Sequence, residues 1–136
     1  MNEAERLEAL EDLVLRARDA AVGCAVVVEG LRDLHALEAL GIGGVHVAVN
    51  QGRPLEEVVD RLAEDAAAQA WGQVILLLDW DRTGDRLHHR LHEGLVGRCR
   101  VDSELRRRFR RLSHTSSLEE VPAEIASLRR RLGSRP

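Results

Sequence analysis

Three short apolar runs constrain the fold more than anything else in this chain: residues 24–28 (CAVVV), 45–49 (VHVAV) and 74–78 (VILLL). Continuous apolar runs of this length, bounded by glycine or polar residues, read as strands buried on both faces. Helical stripes separate them. Leu31, Leu34, Leu37 and Leu40 line one side of a helix that stops at Gly41, and Leu55, Val58, Val59, Leu62, Ala63, Ala66 and Ala70 line the next. Leu87, Leu91 and Leu95 begin a third stripe that ends near Gly97. Strand and helix alternating with short links predict an α/β unit with a parallel sheet.

The order of the strands follows from their composition. The first and third runs are the most apolar, so they are central and adjacent. The second alternates more and belongs nearer an edge. Right-handed crossovers then place the first strand between the second and the third. A crevice opens at the carboxyl ends of strands one and three, where ligands sit in such sheets. Residues 98–102 are expected to add a short fourth edge strand, giving a central, mainly parallel four-stranded sheet flanked by helices in three layers. Outside this unit, residues 1–21 read as an amphipathic helix with Leu7, Leu10, Val14 and Ala17 on one face. Residues 106–136 read as an arginine-rich helical extension packed on the same domain. Its last helix is expected to be capped by Ser116 or Ser117, with Glu119 or Glu120 completing a capping box and Pro122 early in the helix.

Composition removes several chemistries. The chain has 20 arginines and no lysine, so P-loop, Schiff-base and adenylated-lysine mechanisms are excluded. Three aromatic residues, Trp71, Trp80 and Phe109, cannot build a base-stacking sheet face. The formal charge of −3 hides an asymmetry: residues 1–97 hold 9 arginines against 18 acids, and residues 98–136 hold 11 against 5. The body is acidic and the tail basic. Cys24 and Cys99 fit neither a disulfide framework nor a C-x-x-C site. The first twenty residues are charged throughout, against a signal peptide, and no apolar run nears the roughly 20 residues of a membrane span. A cytoplasmic protein without membrane contact is expected.

Four acids fall where the crevice should be. Glu29 ends strand one, Asp79 and Asp81 end strand three, and Asp85 follows at the mouth of the next helix. Residues i and i+2 of an extended segment point the same way, so Asp79 and Asp81 can share one cation. Neighbouring strands lie about 4.8 Å apart, which brings Glu29 close. Like charges that near each other need a cation or a proton between them. Carboxylates open to a phosphate-bearing ligand suit Mg²⁺, with Mn²⁺ as a substitute.

The stretch VVVEGLRD (26–33), followed after two βα units by LLLDWDRTGD (76–85), resembles the Toprim domain. That domain is marked by Glu-Gly after its first strand and Asp-x-Asp after its third. The resemblance covers residues 22–105 and is closest to small stand-alone, primase-like Toprim proteins and the ribonuclease that matures 5S rRNA, which share the form Asp-x-Asp-Arg-x-Gly-acid. It implies a Rossmann-like fold and Mg²⁺-dependent chemistry on RNA or DNA phosphodiesters, with a nuclease or RNA-processing factor the first expectation. By position, it makes Glu29 the general acid/base and Asp79, Asp81, Glu29 and Asp85 the metal ligands. Gly30, Arg32, Asp33, Arg82 and Gly84 fall to substrate binding. Relatives often carry a basic residue directly after Glu-Gly, where this chain has Leu31.

The tail arginines Arg106, Arg107 and Arg110, with Arg108 and Arg111 beside them, are expected to grip phosphates, since arginine suits bidentate contacts. Phe109, inside that run, either stacks on a base or packs in the core. His88, His89 and His92 form a cluster read as an exposed polar helix face, and His46 as a satisfied strand histidine. Two alternatives accompany the nuclease reading. One is a non-catalytic nucleic-acid or protein-binding module. The other is a haloacid dehalogenase-type phosphatase, which Asp79, Asp81 and Thr83 match locally, but which needs a downstream basic residue and a second acidic pair. The sequence leaves the oligomeric state open.

Overall fold

The computed structural model describes residues 1–133. The last three residues of the expected C-terminal extension, 134–136, lie outside them. Helix α1 (Glu3–Ala21) leads into β1 (Ala25–Val28), α2 (Leu31–Ala39), β2 (Val45–Ala48), α3 (Leu55–Ala68), β3 (Val74–Leu76), α4 (Arg82–Leu95) and β4 (Val101–Asp102). Helices α5 (Glu104–Leu112) and α6 (Val121–Arg131) follow, joined through a 3₁₀ turn at Leu118–Glu120. The sheet runs β2-β1-β3-β4 and every pairing is parallel, with Ala25 opposite both Val45 and Val74, and Val74 opposite Val101. The order read from the apolar runs therefore holds, as does the edge place of the alternating strand.

Period-2 alternation divides the core in two. Val26, Val28, Ile75 and Leu77 face α1, α2, α5 and α6, while Val27, Val74, Leu76 and Leu78 face α3 and α4. All eight are buried. The helices after β1 and after β3 thus leave on opposite faces, which opens the crevice between their N-termini. Between α3 and α4 the packing is close: a Cβ on Gly94 would lie 2.7 Å from Val59 Cγ1. No helix among the described residues is long and apolar enough to cross a membrane.

Two details depart from the sequence expectation. Helix α4 begins at Arg82, three residues before Asp85, the residue expected at its mouth, because Asp81 is its N-cap and accepts the Gly84 N–H at 2.7 Å. The last helix lacks the expected capping box. The Ser117 hydroxyl donates to Glu120 at 3.0 Å and accepts no backbone N–H; a 3₁₀ turn precedes α6, with Pro122 in its first turn.

A buried ion pair ties the N-terminal helix to the C-terminal segment. Arg6 Nη1 donates to Glu124 at 2.5 Å and to the Leu112 carbonyl at 3.2 Å, with only 9% and 7% of the two side chains exposed. Glu124 also accepts from the Ser113 hydroxyl at 2.6 Å and the His114 N–H at 2.8 Å. Burial alone would raise its pKa, but the His114 amide, the Ser113 hydroxyl and Arg6 together hold it below the ordinary value. Removing one partner strands the other charge in the interior, so Glu124→Ala should cost about 3 kcal/mol in urea unfolding at neutral pH. A depressed folded-state pKa gives stability that is present above 4.5 and lost as pH falls. The gap between wild type and variant should therefore narrow in acid.

Candidate metal centre

The sheet order alone brings Glu29 beside Asp79. Glu29 follows the last residue of β1, and Asp79 follows β3 after the buried Leu77 and Leu78. The Asp79 N–H donates to Glu29 Oε1 at 3.3 Å. Asp81 points the same way as Asp79, as i and i+2 require in extended chain. One oxygen from each of Glu29, Asp79 and Asp81 lies within 4.8 Å of the other two. The glycine at 84 is a steric necessity here, since a Cβ would sit 1.8 Å from the Asp79 carbonyl oxygen.

The crowding shows in the protonation of these groups. Burial raises the Asp79 pKa first, and the charges of Glu29, Asp33 and Asp81 add to it, taking it to about 7. Burial likewise pushes the Glu29 carboxyl up, against the hydrogen bond from the Asp79 amide, with Asp81 and Asp33 reinforcing the rise. Asp79 Oδ1 is buried with no hydrogen-bond partner among the described residues. A partnerless buried carboxylate oxygen beside two other carboxylates is the donor set a hard divalent cation requires, and Mg²⁺ or Mn²⁺ fits it.

Asp33 supports the first half of the site. It is buried, its Oδ2 accepts the Gly30 N–H at 3.1 Å, and its Oδ1 accepts the Glu119 N–H at 3.0 Å. Gly30 is the N-cap of α2. Burial raises the Asp33 pKa against those two bonds.

Other expected site residues lie elsewhere. Asp85 is outside the group of three: it accepts from Arg106 at 2.7 Å and Arg110 at 2.5 Å, and Arg110 foremost holds its pKa below the usual range. Arg106, expected on phosphate, is buried, with Nε on the Leu78 carbonyl at 3.0 Å and Nη2 on the Asp79 carbonyl at 2.6 Å. Arg107 and Arg108 both pair with Glu104, and Arg32 pairs with Glu119 at 3.4 Å. Arg82 is exposed and has no hydrogen-bond or ion-pair partner among the described residues. His88 bonds Ser103 Oγ at 3.1 Å through Nε2 and stacks on His92 at 6.0 Å. Burial, then the charge of Arg106, hold its pKa down at about 4. His89 is exposed, and His46 Nε2 meets the Ile42 and Gly43 carbonyls at 2.9 Å.

Trp80 is the residue the sequence reading passed over. It is buried, lies between Asp79 and Asp81 in sequence, donates its indole N–H to the Thr115 carbonyl at 2.7 Å and its backbone N–H to the Ser116 carbonyl at 2.8 Å, and stacks on Phe109 at 5.9 Å. A large apolar side chain between two residues that point the other way was the available signal.

The sequence profile of the Toprim domain matches residues 23–105. A UPF0292 protein of Thermococcus onnurineus is 34% identical over 111 residues, covering 81% of this chain and 77% of that protein. A UPF0292 protein of Methanosarcina acetivorans is 29% identical over 134 residues, covering 95% and 88%. A solved structure of a protein from Aquifex aeolicus superposes with a TM-score of 0.66 at 25% identity, over 80% of this chain and 94% of that one.

The raised Asp79 pKa sets a stability prediction. The folded state holds this proton more tightly than the unfolded chain, so metal-free stability should fall as pH rises from the ordinary value of 3.8 to about 7, then level off. Asp79→Asn removes the penalty. In EDTA at pH 7.5 it should stabilise by about 1 kcal/mol, since partial exposure screens much of the shift, and it should remove whatever rise in Tm a millimolar divalent cation gives the wild type.

Proposed function

Because the chain belongs to the Toprim domain family, we propose that it is a Mg²⁺-dependent protein acting on nucleic-acid phosphodiesters, in the first instance a nuclease or RNA-processing enzyme. The observation that carries this reading is the buried Asp79 Oδ1, partnerless among the described residues, beside Glu29 and Asp81. Mg²⁺ held by Glu29, Asp79 and Asp81 would supply Lewis-acid stabilisation of charge on the phosphate.

The remaining work falls to side chains of this protein. Glu29 is half-buried and burial raises its pKa above the ordinary carboxylate value, the direction that suits a general acid/base. Asp33 fixes the Gly30 amide and so the exit of the chain from Glu29. Arg82, in the first turn of α4 and without an acidic partner among the described residues, is a guanidinium free to meet a phosphate oxygen. Arg106 is committed to internal contacts, while Arg107 and Arg110 form surface ion pairs with Glu104 and Asp85. Phosphate contact in this reading centres on the carboxyl edge of the sheet, where Arg82 stands beside the three acids.

End-labelled RNA and DNA incubated in Mg²⁺ provide the test. Wild type should cleave one of them and lose activity in EDTA, and Glu29→Gln and Asp79→Asn should each lower the rate by about 100-fold or more. Cleavage at the wild-type rate in both variants would overturn the reading. Binding without cleavage, independent of Mg²⁺ and unaffected by loss of Asp79 and Asp81, would identify a non-catalytic binding module instead. Arg82→Ala should weaken binding across sequences and reduce the slope of log K against log salt by about 1.

A further inference from the structure

We propose that Arg106 is the positioning residue of the acidic site, its guanidinium fixing the Leu78–Asp79 backbone so that the Asp79 carboxylate points at Glu29 and Asp81. The need for such a group arises where the sheet ends. The β1–β3 ladder stops at Leu76, with the Leu77 N–H still donating to Val27 at 2.8 Å. Past Leu77, the carbonyls of Leu78 and Asp79 lie beyond the strand pairing, and buried carbonyls need a donor. Arg106 supplies both: Nε reaches Leu78 at 3.0 Å and Nη2 reaches Asp79 at 2.6 Å. Nη2 also meets Asp85 Oδ1 at 2.7 Å. One planar group thus ties two successive carbonyls to a carboxylate at fixed relative positions, which a lysine ammonium cannot do.

Asp85 has a role in this arrangement. It balances the charge of a guanidinium whose side chain is only 9% exposed and holds the fork against the backbone. Gly84 closes the other side of the Asp79 carbonyl, with no room for a Cβ. The Trp80 backbone N–H, bonded to Ser116, fixes the next peptide. Arg106, Thr115, Ser116 and Phe109 all lie beyond residue 105, so the acids come from the Toprim segment while their geometry is imposed by the chain that follows it. The inference rests on the metal-site reading above only for the second of its two readouts.

The test compares Arg106→Lys and Arg106→Gln in the full chain with Leu10→Ala, a core truncation in α1 outside the hydrogen bonds that join Arg106 to Leu78, Asp79 and Asp85. The first readout is metal-free amide exchange of residues 77–85 against residues 25–48. The second is Mn²⁺ affinity by calorimetry. Both Arg106 variants should speed exchange at 77–85 by about tenfold with 25–48 unchanged, and weaken Mn²⁺ binding by about 10- to 100-fold. Leu10→Ala should speed exchange throughout and leave Mn²⁺ affinity within about threefold. If Arg106→Gln does not fold, Arg106→Lys, which keeps the charge and one contact, decides. Wild-type exchange at 77–85 in a folded Arg106 variant overturns the proposal, whether or not Mn²⁺ binds. Faster exchange at 77–85 with no Mn²⁺ binding even by the wild type sinks the metal reading and leaves the positioning role standing.

Discussion

Three carboxylates held within 4.8 Å of one another are the constraint that the rest of the structure answers to. At an effective dielectric near 20, each ionised pair at that distance repels by roughly 3 kcal/mol. The fold responds in several ways. Two helices, α2 and α4, begin at the cluster, and their N-termini present backbone N–H groups and partial positive charge to it. Asp81 spends one oxygen on the Gly84 amide. Asp79 keeps a proton up to about pH 7. What remains unanswered is Asp79 Oδ1, and that residue of unbalanced demand is what a divalent cation would meet.

The arginines follow from the same constraint. A lysine-free chain must use guanidinium for every cationic task, internal or external. Arg6 and Arg106 are buried and bridge segments far apart in sequence: the first joins α1 to α6, the second α5 to the end of β3. Arg110 saturates Asp85 from outside. The basic tail therefore largely neutralises acids of its own protein. The acidic body and the basic tail are bridged by such pairs, since Arg98, Arg129 and Arg131 meet Asp60, Glu11 and Glu3 of the body. Net charge of a segment measures its demand for partners, and those partners can be internal.

The parts of this fold that were legible are those written in local pattern. AVVV and VIL are central because they are apolar on both faces, and VHVA is peripheral because it alternates. Asp79 and Asp81 could be placed together from i,i+2 geometry, and Glu29 beside them from strand order. Asp81 as a helix cap was also legible, being an aspartate three residues before an available N–H, but a polar segment with a glycine reads equally as loop. The partners of Asp85 and Trp80 were not legible. Arg106 lies 21 residues from Asp85, and Thr115 lies 35 residues from Trp80. No periodicity encodes such pairings, because they depend on where α5 crosses the sheet.

That crossing makes the boundary at residue 105 one of sequence and not of energetics. A domain boundary falls where few contacts cross. Here Arg106 holds Leu78 and Asp79, Ser116 and Thr115 hold Trp80, and the Glu119 amide holds Asp33. Both halves of the acidic cluster, on β1 and on β3, are thus steadied by the same short C-terminal stretch. A chain ending at 105 would keep every carboxylate and lose the groups that order them, leaving the repulsion intact and its geometry unfixed. The acids define what the site can bind; the segment after the domain determines whether they are arranged to bind it.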